Sequence, residues 1–162
     1  MKITFICSGN VFRSVFAQEY LKKLAKEKNL SFVEIDSCGT IAQPHFKIPE
    51  ILFKLLKVYG IDNFKKSEHK PTKICQEIVD KSDIILVMEK NHLEYIKKNF
   101  SSSCHKTFLL KEYAGFLSHL EIFDPIGQEK VVYIKTAEEI KNCLDIIIQK
   151  LIQKGEKSNV PS

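Results

Sequence analysis

Arginine is nearly absent from this chain of 162 residues: of 25 basic side chains, setting aside Arg13 leaves 24 lysines. Long apolar runs are absent too. No stretch approaches the ~18 uninterrupted apolar residues of a membrane-spanning helix, and the N-terminus enters a strand-like run without the pattern of a secretory leader. A cytoplasmic location without membrane association is expected. Cys7, Cys38, Cys75, Cys104 and Cys143 are an odd number at irregular spacings with no C-x-x-C pair, which argues against a disulfide framework or a zinc site. His45, His69, His92, His105 and His119 likewise lack ligand spacing, so neither metal nor cofactor is expected. There is no Gly-x-Gly-x-x-Gly or Walker run, which removes the phosphate-binding loops of dehydrogenases and ATPases. The net charge of +5 comes from scattered lysines, Lys22-Lys23, Lys65-Lys66 and Lys97-Lys98 being the densest pairs. No stripe of arginine and aromatics suggests a nucleic-acid partner.

What is present gathers around the lone arginine. It stands six positions after Cys7, in Ile6-Cys7-Ser8-Gly9-Asn10-Val11-Phe12-Arg13-Ser14. Lysine supplies every other basic side chain, so one planar guanidinium suggests a task that needs a rigid fork, such as gripping two oxygens of a phosphate. Lys2 to Ile6 read as a β-strand, and a helical pattern begins after Arg13. The connecting loop and first helical turn would aim amides into one concavity, whose partial positive charge favours a bound dianion and a neighbouring thiolate alike. Gly9 permits close backbone approach, and Asn10 tolerates a left-handed conformation.

With 44% hydrophobic residues the chain can bury one core, and residues 1–154 read as a single domain with a small, polar tail over 155–162. Strand-length apolar runs alternate with helical patterns, which predicts an α/β fold: a four-stranded parallel sheet flanked by helices in three layers. Strands are expected at 2–6, 32–35, 83–88 and 106–110. Helices are expected at 13–27, from Pro49 to Gly60, at 73–79, 90–98 and 130–154, with a loop near Ser101-Ser102-Ser103 and a longer one over 112–128. Phe16, Tyr20, Leu21 and Leu24 recur at helical spacing, as do Ile140, Leu144, Ile147, Ile148 and Leu151. Ligands of such sheets bind at the carboxyl ends of the strands, where the Cys7 loop would lie.

Cys-x5-Arg-Ser near the N-terminus, with Gly-Asn inside the loop, resembles the low-molecular-weight protein tyrosine phosphatase family. The likeness continues through Ser37-Cys38-Gly39-Thr40, Gly60-Ile61 with His69, Val87-Met88-Glu89 and Asp124-Pro125. It implies that Cys7 forms a cysteinyl-phosphate intermediate, that residues Ser8 to Ser14 cradle the phosphate, and that Arg13 holds two of its oxygens. Ser14 would hydrogen-bond the nucleophile, and Asn10, Ser37 and His69 would fix the loop. Asp124 would protonate the leaving oxygen and later activate water. Pro125 biases it out of helical geometry. The implied substrate is a phosphorylated protein or small phosphomonoester, and the expected state is a monomer or weak dimer.

The chain departs from the family at several points. Phe12 stands where the family often has a second cysteine, which predicts less reversible oxidation of Cys7. Val15 and Gln18 replace a usual Pro and Glu. Ile126-Gly127 follow Asp124-Pro125 where eukaryotic members have aromatics that wall the phenyl ring, a role that Phe12 and Phe46 are candidates to take. Rival readings are a thiol-relay arsenate reductase, for which Cys75 and Cys104 lie far apart, and a phosphate-binding module without turnover. A phosphoarginine phosphatase is the third, for which Val11 lacks the hydroxyl of a Thr at that place.

Overall fold

A computed structural model describes residues 1–65, 67 and 69–158, the side chains of 157 and 158 excepted. Lys66 of one lysine pair, and residues 159–162 of the expected tail, lie outside the described residues. Four strands form one parallel sheet: β1 (Lys2–Cys7), β2 (Glu34–Gly39), β3 (Ile84–Val87) and β4 (Thr107–Leu109), in the order β2-β1-β3-β4. β1 and β3 are central; β3 is wholly apolar and β1 is apolar apart from Lys2 and Thr4, as suits strands covered on both faces. The chain leaves β1 for β2 on one side and then crosses to β3 on the other. The loop after β1 therefore sits at the point where strand order reverses, the crevice at which open α/β sheets bind ligands.

The pleat sorts side chains to two faces. Ile3, Phe5, Cys7, Ile35 and Leu86 face a large core with α1 (Arg13–Glu27), α2 (Glu50–Val58), α5 (Leu110–Ala114) and α6 (Lys130–Ser158). Ile6, Cys38, Ile85, Val87 and Leu109 face a smaller core with α3 (Gln76–Lys81) and α4 (Lys90–Asn99). The three-layer expectation is met. Phe16, Tyr20, Leu21 and Leu24 of α1 are buried, as are Ile140, Leu144, Ile147, Ile148 and Leu151 of α6. A ladder of rings joins α1 to α2: Phe16 stacks on Tyr20 at 6.0 Å, and Tyr59 sets its edge against both, at 5.5 and 5.8 Å. Each such pair contributes about 1 kcal/mol beyond simple burial.

The boundaries differ from expectation where tertiary contacts outweigh local pattern. β2 begins at Glu34 rather than at Phe32, because pairing with β1 starts at Lys2↔Glu34. Phe32 instead lies against the end of α6, where a Cβ on Gly155 would come within 3.0 Å of its ring. α3 starts at Gln76, since Lys73 is taken up in a bridge with Gly39. Ser101–Lys106 wind into a 3-10 helix where a loop was expected, and α5 interrupts the other expected loop until Gly115, at φ 109°, stops it. Among the described residues no helix is long and apolar enough to cross a membrane.

Candidate active site

β1 ends at Cys7, and the next five residues turn through a nest before α1 begins at Arg13. Asn10 takes the left-handed conformation, at φ 54°. Its amide N–H points back at Cys7 Sγ, 3.3 Å away. The loop is braced from β2: Thr40 N–H donates to the Cys7 carbonyl and Ile41 N–H to the Ser8 carbonyl, each at 3.0 Å. Gly39 is the glycine that this closeness demands, because a Cβ there would lie 2.5 Å from the Ser8 carbonyl oxygen and 2.9 Å from the Asn10 nitrogen. At Gly9 a Cβ would meet only ordinary contacts, 3.5 Å from Val11 and 3.6 Å from Phe46.

The side chain of Asn10 has every polar atom occupied. Its Nδ2 donates to Ser14 Oγ (3.0 Å) and Ser37 Oγ (2.9 Å), and its Oδ1 accepts the Thr72 N–H (3.0 Å). The His69 ring reaches the Asn10 carbonyl at 3.0 Å. Ser14, which accepts from Asn10, has its own proton left for Cys7 Sγ at 3.1 Å. Asn10, Ser14, Ser37 and His69 thus come together around the loop. Ser14 does not cap α1, whose start has no side-chain cap.

Arg13 is the largest fully buried side chain among the described residues, 1% exposed. A buried guanidinium needs counter-charge and acceptors, and four groups supply them. Nη1 donates to Glu89 Oε2 (2.5 Å) and to the Ile122 carbonyl (2.9 Å); Nη2 donates to Asp124 Oδ2 (2.5 Å) and to Ser8 Oγ (3.3 Å). Asp124, 111 positions away in sequence, is thereby held at the mouth of the loop, with its other oxygen accepting the Ile126 N–H at 3.2 Å. Glu89, the Ile122 carbonyl and His92 went unread as site residues. Glu89-x-x-His92 straight after a strand beside β1 was the signal for the two side chains, which form a capping box at the start of α4.

Cys7, Ser8, Arg13 and Asp124 share a cavity of about 340 Å³. Val11, Ile41, Phe46 and Ile126 make its walls largely apolar, and Tyr133 closes one side. Phe46 lines it as expected. Phe12 lines it too, although it is 1% exposed and packs edge-on to Tyr133 at 4.9 Å. A roomier hollow of about 540 Å³ lies between α1 and Gly60, lined by Lys22, Lys23 and Lys26. Its lining includes no cysteine, arginine or histidine. Among the described residues no group of three or more His, Cys, Asp or Glu side chains gathers that could hold a metal ion.

The model of the low molecular weight phosphotyrosine protein phosphatases matches residues 2–157. The chain belongs to that family. A protein-arginine-phosphatase of Bacillus subtilis is 30% identical over 152 residues, 93% of this chain and 97% of that one. The low molecular weight protein-tyrosine-phosphatase PtpB of Staphylococcus aureus is 29% identical over 147 residues, 89% and 94% of the two chains. Among solved structures, the low molecular weight protein tyrosine phosphatase of T. tengcongensis superposes with a TM-score of 0.83 at 30% identity, over 93% of this chain and 99% of that one. Membership in the low molecular weight phosphatases makes this chain a phosphomonoester hydrolase.

Proposed function

We propose that the chain hydrolyses phosphotyrosine through a cysteinyl phosphate, with Cys7 as nucleophile, Arg13 as phosphate clamp and Asp124 as acid and then base. The observation that carries the reading is the convergence of Cys7 Sγ, the Arg13 guanidinium and the Asp124 carboxylate on one cavity. A phosphoryl dianion entering it would be an alternative partner for Arg13 Nη2, whose bond to Asp124 would then be exchanged for one to phosphate oxygen. Asp124, so released from the guanidinium, would take a proton from solvent and pass it to the leaving oxygen. Cys7 sulfur attacks phosphorus as the P–O bond to the leaving group breaks, and the Ser14 hydroxyl stabilises the sulfur as it departs in the second step. Water, deprotonated by Asp124, then displaces sulfur and releases inorganic phosphate. Arg13 and the loop amides carry the charge of the transferring group. Thiolate chemistry of this kind fits a reducing compartment, and the cytoplasm is the proposed location.

The apolar walls favour an aromatic leaving group. Val11, Ile41, Phe46 and Ile126 offer a phenyl ring contact, and Val11 in the loop offers a guanidinium no acceptor. Phosphoarginine is the second reading, favoured by the 30% identity to the Bacillus subtilis arginine phosphatase. A thiol relay finds less support, because Cys38 faces the smaller core across the sheet from Cys7. Hydrolysis of p-nitrophenyl phosphate without added metal tests the reaction, and Asp124→Ala should lower kcat by about 100-fold. Phosphotyrosyl and phosphoarginyl peptides test the substrate. A preference of at least ~10-fold in kcat/KM for phosphotyrosine is expected, and the reverse preference would replace the first reading with the second.

A further inference from the structure

His92 stands at the start of α4, 2% exposed, and faces the loop after β1. Its Nδ1 accepts the Glu89 backbone N–H at 3.1 Å, so that nitrogen carries no proton. Burial, with the Arg13 charge beside it, lowers its pKa to about 3. The ring is therefore neutral, and its one proton is on Nε2. That N–H reaches Ser8 Oγ at 2.9 Å, and Arg13 Nη2 donates to the same oxygen at 3.3 Å. A hydroxyl has two lone pairs and one proton. With both lone pairs taken, the Ser8 proton is directed away from His92 and Arg13, and Ser8 lines the cavity that holds Cys7.

We propose that the Ser8 hydroxyl is a fixed hydrogen-bond donor to an oxygen of the phosphoryl group above Cys7, and that His92 is the positioning residue that sets its direction. The proposal rests on the phosphatase reading for the identity of the anion. It adds to the loop amides one side-chain donor whose orientation is settled before substrate arrives, so none of its orienting cost falls on binding. His92 touches no substrate atom and acts only through Ser8.

Calorimetric titration of the full chain with inorganic phosphate, run beside p-nitrophenyl phosphate kinetics, tests it. Ser8→Ala is expected to weaken phosphate binding about 10-fold, in line with the loss of one hydrogen bond to a charged group. Ser8→Thr, which keeps the hydroxyl, should recover most of that loss. His92→Asn keeps an acceptor for the Glu89 N–H but is too short to reach Ser8, so it should weaken phosphate binding and raise KM more than it lowers kcat. His92→Gln, one bond longer, should restore part of the loss. Because His92 works through Ser8, the Ser8→Ala/His92→Asn double variant should bind phosphate no worse than Ser8→Ala alone. An unchanged phosphate Kd in Ser8→Ala overturns the proposal, and additive losses overturn the role of His92. If His92→Asn does not fold, the Ser8→Ala and Ser8→Thr pair still decides the donor. A wild-type chain that binds phosphate without hydrolysing the ester would sink the phosphatase reading and leave the Ser8 comparison decisive.

Discussion

Gly39 and His92 are single residues outside the loop that bear directly on its geometry. A methyl group at Gly39 would overlap the Ser8 carbonyl oxygen at 2.5 Å and crowd the Ala42 Cβ at 3.0 Å, and the Ser8 carbonyl is held in place by the Ile41 N–H. Gly39→Ala should therefore cost about 1–3 kcal/mol, a fall in Tm of roughly 3–8 °C, and weaken phosphate binding as the loop shifts. An unchanged Tm and an unchanged phosphate Kd would contradict the argument. His92 makes the stability sensitive to acid. Burial and the Arg13 charge hold its pKa at about 3, against 6.5 when exposed. Below pH 6.5 the unfolded chain takes up a proton that the folded chain refuses until near pH 3, so stability complete above pH 6.5 is lost as the pH falls through that window. Melting curves between pH 7 and 4.5 should show the wild type losing more Tm than His92→Gln; parallel losses would contradict this. Arg13 was legible in the sequence as an isolated exception, and Gly39 through its likeness to a family segment. His92 was not, because its value lies in a hydrogen bond to Ser8, 84 positions away.

At the level of elements, the alternation of faces along β1 and β2 decides how Cys7 meets oxidants. Cys7 belongs to the core with α1 and α6, whereas Cys38, next to it in the sheet, belongs to the core with α3 and α4. Phe12 occupies the place of a second loop cysteine and is itself buried. The Cys7 and Cys38 thiols open on opposite faces of the sheet, which disfavours a disulfide that would trap an oxidised Cys7. Excess peroxide should carry Cys7 to the sulfinic acid, seen by mass spectrometry, with little activity regained on treatment with dithiothreitol. A Cys7–Cys38 disulfide with full recovery would contradict the assignment of faces. α1 and α6 were readable because one face of each carries a regular apolar stripe that the core then buries. β2 was misplaced because the apolar pair Phe32-Val33 precedes the strand, and its true start is set by pairing with Lys2. α5 was missed because five residues carry too few turns for periodicity to register.

The whole molecule draws together groups that the sequence keeps apart. The loop after β1 supplies Cys7 and Arg13, the residues after β3 supply Glu89, and the segment before α6 supplies the Ile122 carbonyl and Asp124. Cys7, Arg13 and Asp124 could be read from motif and order, since a loop after a first strand and an Asp-Pro before a last helix are local patterns. The four-part cage around Arg13 could not be read, because it depends on which side chains the sheet order makes neighbours. That cage also defines the central claim: a planar guanidinium, buried and preoriented, holds the phosphate that a thiolate attacks. Phosphate binding measured by calorimetry on Cys7→Ser and Arg13→Lys tests this most directly. The account predicts that Cys7→Ser binds phosphate but hydrolyses nothing, whereas Arg13→Lys loses phosphate binding by about 100-fold or more, as expected for replacing a two-pronged contact with a point charge. Tight phosphate binding by Arg13→Lys, or hydrolysis by Cys7→Ser, would contradict it.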